Sequence, residues 1–488
     1  MRARILSIFW LSVFLIVSSA SVAGPAKGPL RVLPANPRYF TDGSGKAVFL
    51  TGSHTWNNLV EINRLPAFPN PAVDFGKYLC FLKARRHNCF RLWPWENAFS
   101  FDSTGAITYR HDPMPYLRTG PGKALDGGPR FDLHKFNQAY FDRLRSRVAA
   151  AGDSGMYVII MLFQGFSIYA KGHDDPWKGH PLNAANNVNR IDGDPAKTGN
   201  GLDTRNLTYP AVTAVQEDYV RKVIDTVNDL DNVLYEITNE DNGGPKNTEW
   251  QYHIIEFIKK YEAGKPRQHP VGMTVQWPKG SNQLLFDSPA DWISPNSGGG
   301  FQTDPPASDG SKVILNDTDH SFFYTGLQAA GLEGQRAWVW KNFTRGNQTM
   351  FMDPYLDPTP WYVKTRNNPQ DGKLDTYWET LRINMGYTRM YADRINLAAM
   401  TPQCGLASSG FCLASTVPGR AEYLVYLPKG PWVTVDLKAV TGTISVEWFN
   451  PASGENVVGE TVKGGARLEL TAPFKGDAVL YLKETGKM

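Results

Sequence analysis

Cysteine, net charge and long apolar runs are all scarce in this chain, and each scarcity removes a class of function. There are four Cys in 488 residues, none paired at zinc-ligand spacing, and no His-x-x-x-His helix. A metal centre would have to be assembled from scattered groups such as His54, Asp317, Asp319 and His320, so neither a metal nor any other cofactor is expected. The formal charge is only +4 and no Lys/Arg cluster accompanies it, which argues against a nucleic-acid partner. No glycine-rich turn opens a helix, as a nucleotide-binding sheet requires, and no Gly-x-Ser-x-Gly turn is present for a serine hydrolase.

Beyond residue 23 no segment is apolar for long enough to cross a bilayer. Ahead of it, Met1-Arg-Ala-Arg, the run Ile5 to Val17 and the small residues Ser18 to Ala23 have the three-part form of a signal peptide, with Ser21 and Ala23 at the small positions. The mature chain is expected to begin near Gly24 and to be secreted or periplasmic. An uncleaved anchor is the alternative, although the run is short for a span. What the chain holds in quantity is aromatic: 14 Trp and 21 Tyr, whose flat amphipathic rings serve packing everywhere and sugar binding where they stand at strand ends.

Short β-rich runs alternate with amphipathic segments, the pattern of repeated βαβ units. Eight strands are expected: 47–51, 89–92, 157–162, 233–237, 271–276, 292–294, 312–315 and 350–352. Runs such as Tyr157-Val-Ile-Ile-Met-Leu are apolar throughout, as in strands covered on both faces. A (β/α)8 barrel therefore fits residues 24–402, plugged below by a hairpin over 31–45 with its turn at Asp42-Gly43 and closed by a helix over 376–398. After Pro402 the segments alternate polar and apolar between Gly/Pro turns, which predicts a small all-β sandwich over 403–488. The segments 97–133 and 165–210 are expected as long loops.

Barrels place chemistry at the carboxyl ends of their strands, and Asn239-Glu240 ends the fourth. Hydrolysis of a glycosidic bond needs two carboxyl groups, one to protonate the leaving oxygen and one to attack the sugar or activate water. Glu240 supplies one. Asp317 and Asp319, sharing the parity of Val313 and Leu315 on strand seven, are the candidates for the other. His54, Trp56 and Asn57 end strand one, and Trp93, Trp95 and Glu96 end strand two, together forming one rim of a sugar cleft. Gln164, Trp277, Asn296, His320 and Asp353 end other strands as weaker candidates.

Asn239-Glu240, Arg91 within Phe90-Arg-Leu-Trp, and a carboxylate ending strand seven resemble the arrangement of clan A glycoside hydrolases. The chain is most similar to apiosidase-like barrel proteins whose C-terminal domain carries a collagen-binding label. That likeness runs through Thr51-Gly-Ser-His-Thr-Trp-Asn-Asn58, Ile314-Leu-Asn-Asp-Thr-Asp-His320, Arg336-Ala-Trp-Val-Trp-Lys341, Phe351-Met-Asp-Pro-Tyr355 and Trp448-Phe-Asn-Pro451. The resemblance implies a glycosidase acting on a polysaccharide or oligosaccharide, with Glu240 as acid/base and Asn239 on the hydroxyl beside the reacting carbon. Counting from Val313, it implies Asp317, ahead of Asp319, as a nucleophile where the clan usually has Glu. Arg91 would keep that carboxylate ionised. A non-catalytic carbohydrate- or matrix-binding barrel is the alternative, and the Asp in place of Glu is what sustains it.

Cys404 and Cys412 flank a Gly/Ser-rich loop as a plausible disulfide, whereas Cys80 and Cys89 fit a bridge or two buried thiols equally. Asn206, Asn316, Asn342 and Asn347 are glycosylation sequons, and a glycan on Asn316 would stand in the expected active site.

Overall fold

In a computed structural model, residues 24–64, 73–168, 175–321, 324–353, 355 and 373–485 are described. The leader expected at residues 1–23 lies outside them. Eight parallel strands make the barrel: β1 (Thr51–His54), β2 (Cys89–Leu92), β3 (Tyr157–Gln164), β4 (Val233–Asn239), β5 (Val271–Thr274), β6 (Trp292–Ser294), β7 (Val313–Asp317) and β8 (Gln348–Met352). The ladder runs from β1 through β8 and back in order to β2. Asn88 closes the remaining seam. Its amide N–H donates to Thr51 O (2.9 Å), its Oδ1 accepts from Thr51 N (2.9 Å), and its Nδ2 donates to Phe49 O (2.8 Å). Gly52 is obligatory there, because a Cβ would sit 1.9 Å from Cys89 O.

Alternation sorts the strand residues. Val158, Ile160, Leu162, Val233, Tyr235 and Ile237 face the surrounding helices, while Tyr157, Ile159, Leu234, Val313, Leu315 and Met350 fill the barrel. Leu30 and Phe40 plug it from below. The N-terminal pairing is Arg31 with Thr41 and Val32 with Phe40, so the connection spans Leu33–Tyr39. The turn expected at Asp42-Gly43 instead leads into the bridge between Phe40 and Val48. Local turn preference identifies Asp42-Gly43 as a turn but does not say which strands it joins.

Two strands differ from expectation in a way that moves the site. β1 is displaced toward its carboxyl end, so His54 lies within the strand. β7 extends to Asp317, which is therefore an inward-facing strand residue. The segments expected as loops also carry structure. Phe99–Phe101, Ile107–Asp112 and Glu61–Arg64 form an antiparallel sheet, and Tyr116–Lys123 pairs with Pro129–Phe136. With Trp177 and Leu182 from the segment after β3, they build a separate apolar cluster over the barrel rim.

The C-terminal region is antiparallel, a larger sheet opposed by the pair Trp432–Asp436 and Arg467–Thr471. Both faces of the larger sheet are buried. Tyr423, Val425 and Leu480 face the small pair, while Leu424, Tyr426 and Val479 pack on Trp340, Phe343 and Tyr391 of the barrel. Arg336 to Asp477 (2.8 Å) and Arg394 to Glu447 (2.8 Å) frame that contact. All four cysteines are free thiols, contrary to the bridge expected for Cys404 and Cys412. Cys80 is exposed rather than buried, because it falls on the outer side of its helix.

Candidate active site

Three inward-facing side chains form a charged layer in the barrel, each two residues above an apolar one. Arg91 follows Cys89, Glu236 follows Leu234, and Asp317 follows Leu315; all three have fully buried side chains. Arg91 Nε donates to Glu236 Oε2 (2.6 Å), and its Nη1 contacts Asp317 Oδ2. Asp317 Oδ1 accepts from the backbone N–H of Asp319 (3.1 Å). Asn58 fixes the end of β2 from both sides, donating to Arg91 O (2.5 Å) and accepting from Trp93 N (2.8 Å).

His54 completes the layer on the β1 side, stacked on Trp93 at 5.5 Å. Burial, with Arg91 and His320 adding positive charge, holds its pKa well below the usual imidazole value, so it is neutral. Its two ring nitrogens make no hydrogen bond among the described residues. At the rim, His320 Nε2 donates to Asn239 Oδ1 (2.8 Å), and its Nδ1 is hydrogen-bonded to the Ser294 hydroxyl (3.0 Å). Asp319 stands beside His320 at 3.7 Å in a one-turn helix.

Glu240 follows β4 directly, partly exposed, with φ of 49°. A left-handed conformation costs a non-glycine residue about 1–3 kcal/mol and persists only where its surroundings over-determine it. Several contacts do so here. Gly165 lies so close beneath that a Cβ would meet Glu240 O at 2.3 Å. The next residue, Asp241, is buried against Arg205 (3.2 Å), and its carbonyl accepts from Trp277 N (2.7 Å). Arg205 also pairs with Glu96, which accepts from Gln164 N (2.6 Å). Burial opposes the charge of Glu96, yet Arg205 and His180 hold its carboxyl below the usual range. Burial pushes Asp241 up against the pull of Arg205.

The remaining expected residues separate into those at the mouth and those that support it. Trp277 is 49% exposed at the end of β5, beside the Glu240 loop. Trp56 and Trp95 are half-buried neighbours, the Trp95 indole donating to Trp56 O (3.0 Å), while Trp93 is buried beneath them. Asn57 accepts from Ile62 N (2.8 Å), Gln164 from Ser167 N (3.0 Å) and Asn296 from Gly298 N (2.8 Å), so these three brace loops. Asp353 is buried and gripped twice by Arg382 (2.8 and 2.5 Å), tying β8 to the closing helix. Asn316 faces away from the mouth, donating to Asn342 Oδ1 (2.9 Å) and Phe301 O (3.0 Å). A glycan on it would therefore enter the helix layer, not the active site, because Asn316 has the opposite parity to Asp317.

Glu236, Asn58, Asn88 and the Arg205–Asp241 pair escape sequence reasoning. Glu236 does carry a visible signal: a Glu in an otherwise buried strand is almost never left unpaired, and it has the parity of Glu240. The others act through contacts distant in sequence and carry none. Among the described residues, no group of three or more His, Cys, Asp or Glu side chains could hold a metal ion.

Residues 109–279 match a family model described as a domain of unknown function, DUF6298. No curated protein matches. Solved structures share the fold across nearly the whole chain. A glycoside hydrolase family 5 protein from Bacteroides vulgatus ATCC 8482 is 12% identical with a TM-score of 0.59, covering 93% of each chain. A second protein from that organism, assigned as a glycoside hydrolase, is 12% identical with a TM-score of 0.59 over 94% of this chain and 82% of its own. Another glycoside hydrolase is 14% identical with a TM-score of 0.54, over 94% and 98%. At such identity the likeness is one of fold: this chain has the barrel architecture on which those glycoside hydrolases are built.

Proposed function

We propose that the chain is a glycoside hydrolase that cleaves O-glycosidic bonds of a polysaccharide or oligosaccharide by a retaining mechanism. The observation that carries the reading is Asp317 at the end of β7, held by Arg91, in the same barrel mouth as Glu240 at the end of β4. Asp317 attacks the sugar carbon while Glu240 protonates the leaving oxygen; Glu240 then takes a proton from the water that releases the sugar. Asn239, oriented by His320, binds the hydroxyl beside the reacting carbon, and Trp277 with Trp56 and Trp95 offers faces to the ring. Asp319 is the lesser candidate for nucleophile, since its carboxylate stands beside His320 (3.7 Å) while Asp317 meets the Arg91 cation. The motifs around Thr51–Asn58 and Ile314–His320 support an apiosidase-like member of clan A. Residues 1–23 act as a secretion signal, which puts the enzyme where extracellular glycans are met. Among the described residues no helix is long and apolar enough to cross a membrane.

The test is reducing-sugar release by the purified protein from a panel of plant, bacterial and host glycans, with Glu240→Gln, Asp317→Asn and Asp319→Asn beside it. Loss in Glu240→Gln and Asp317→Asn, with Asp319→Asn active, is the expected result. Activity surviving in Glu240→Gln would overturn it. Glycan binding without release in every preparation would favour a binding protein.

A further inference from the structure

Glu236 lies outside the two-carboxylate mechanism, yet it is wired to it. The side chains of Glu236, Arg91 and Asp317 form one buried layer at the floor of the barrel mouth. Two ionised carboxylates and one guanidinium would leave a net negative charge there, and an uncompensated buried charge costs several kcal/mol by order of magnitude. The groups facing the layer do not supply the missing cation. His54 is held neutral from the β1 side. Cys89, below Arg91, is kept protonated by burial. Any charge on His320 is matched by the Asp319 carboxylate beside it (3.7 Å), and its ring is turned to Asn239 and Ser294. Such a layer balances by keeping one proton on its pair of carboxyls.

The contacts decide which carboxyl keeps it. Asp317 is ion-paired with Arg91 through one oxygen and accepts a backbone N–H with the other, and that second donor suits a charged carboxylate. Glu236 uses one oxygen on Arg91 Nε, while its Oε1 meets no donor among the described residues. The Thr274 hydroxyl, also near Glu236, donates to Thr238 O (2.6 Å). We propose that Glu236 is a positioning residue of this site: it anchors Arg91 and carries the shared proton, leaving Asp317 as the ionised member. The direction of its titration agrees, since burial raises the Glu236 carboxyl against the opposing pull of Arg91. The inference rests on Asp317 as nucleophile only for its effect on turnover; the location of the proton is a property of the protein without substrate.

The experiment therefore reads the proton directly. The infrared carbonyl band of a buried protonated carboxyl is recorded near neutral pH as the difference between wild type and Glu236→Gln. It is repeated with isotope label in the glutamate carboxyls and, separately, in the aspartate carboxyls. A band that shifts with glutamate label, and is lost as wild type is titrated to higher pH, is expected. A band that shifts with aspartate label instead, or no band in wild type, overturns the proposal. If Glu236→Gln does not fold, the glutamate-labelled wild type alone decides, by the presence or absence of the shifted band, because buried Asp241 contributes to the aspartate-labelled spectrum. On any glycan found to be cleaved, wild-type turnover should fall as rising pH removes the Glu236 proton, Glu236→Gln should lack that fall, and Glu236→Ala should lower kcat about tenfold or more with KM unmoved. Silence on every glycan would sink the proposed function and leave the infrared result standing.

Discussion

The lower and upper halves of the barrel interior are built on the same strands at the same parity, and they differ in what holds them. Below, Leu234, Leu315, Val313 and Met350 exclude water and need only fit one another. One pleat higher, Glu236, Asp317 and Arg91 occupy equally buried positions, where each is tolerable only because of the others. Apolar packing fails gradually and locally, whereas a charged layer fails as a unit and with a dependence on pH. That coupling suits a site in which one buried carboxylate must stay ionised.

The comparison is broken most severely at Arg91. Arg91→Leu leaves two carboxyls buried without their cation, and a loss of about 3–5 kcal/mol is expected by thermal or denaturant unfolding. Lowering the pH should recover part of that loss as Asp317, the ionised member, takes up a proton. Leu234→Ala, one layer down, should cost about 2–5 kcal/mol with no such dependence on pH. If the two variants responded alike to pH, the distinction between the halves would be wrong.

Glu236→Gln sharpens it. A carboxyl whose folded pKa is raised contributes stability below its unfolded pKa and loses it as pH rises through the folded one. The wild type should therefore weaken relative to Glu236→Gln as pH climbs out of the ordinary carboxylate range, which parallel melting curves would reveal. At the contact between barrel and C-terminal sheet, Arg336→Met leaves buried Asp477 with the Tyr426 hydroxyl alone, and about 1–3 kcal/mol should be lost. The smallest effect on stability is expected for Trp277→Ala, within about 0.5 kcal/mol, because that ring is 49% exposed. Its signature is a higher KM on cleaved glycan, and an unchanged KM would remove Trp277 from the sugar platform.

Much of the barrel is legible in its hydrophobic pattern. Periodicity alone locates the eight strands, β6 to the residue, because strands buried on both faces are written as continuous apolar runs. It is least accurate at strand ends, where β1 is displaced toward its carboxyl end and β7 runs on to Asp317, since polar residues there look like loop. The inserted sheets over the rim also read as loops: Thr104-Gly105 and the Gly-rich stretch Gly120–Gly128 are the turns of short hairpins whose glycines obscure the flanking strands, and only Glu61–Arg64 joins from a distance.

The amino-acid sequence by itself determined the order of βαβ units, the antiparallel character of the C-terminal region, and the presence of Glu240 and an aspartate at opposite strand ends. Those follow from spacing along the chain. Only the tertiary structure decided that Asp317 meets Arg91 while Asp319 turns to His320, that Glu236 closes the charged layer, and that Gly165 and Arg205 constrain the strained backbone at Glu240 and Asp241. These depend on residues tens to hundreds of positions apart being brought within hydrogen-bonding reach, and no local pattern records such distances.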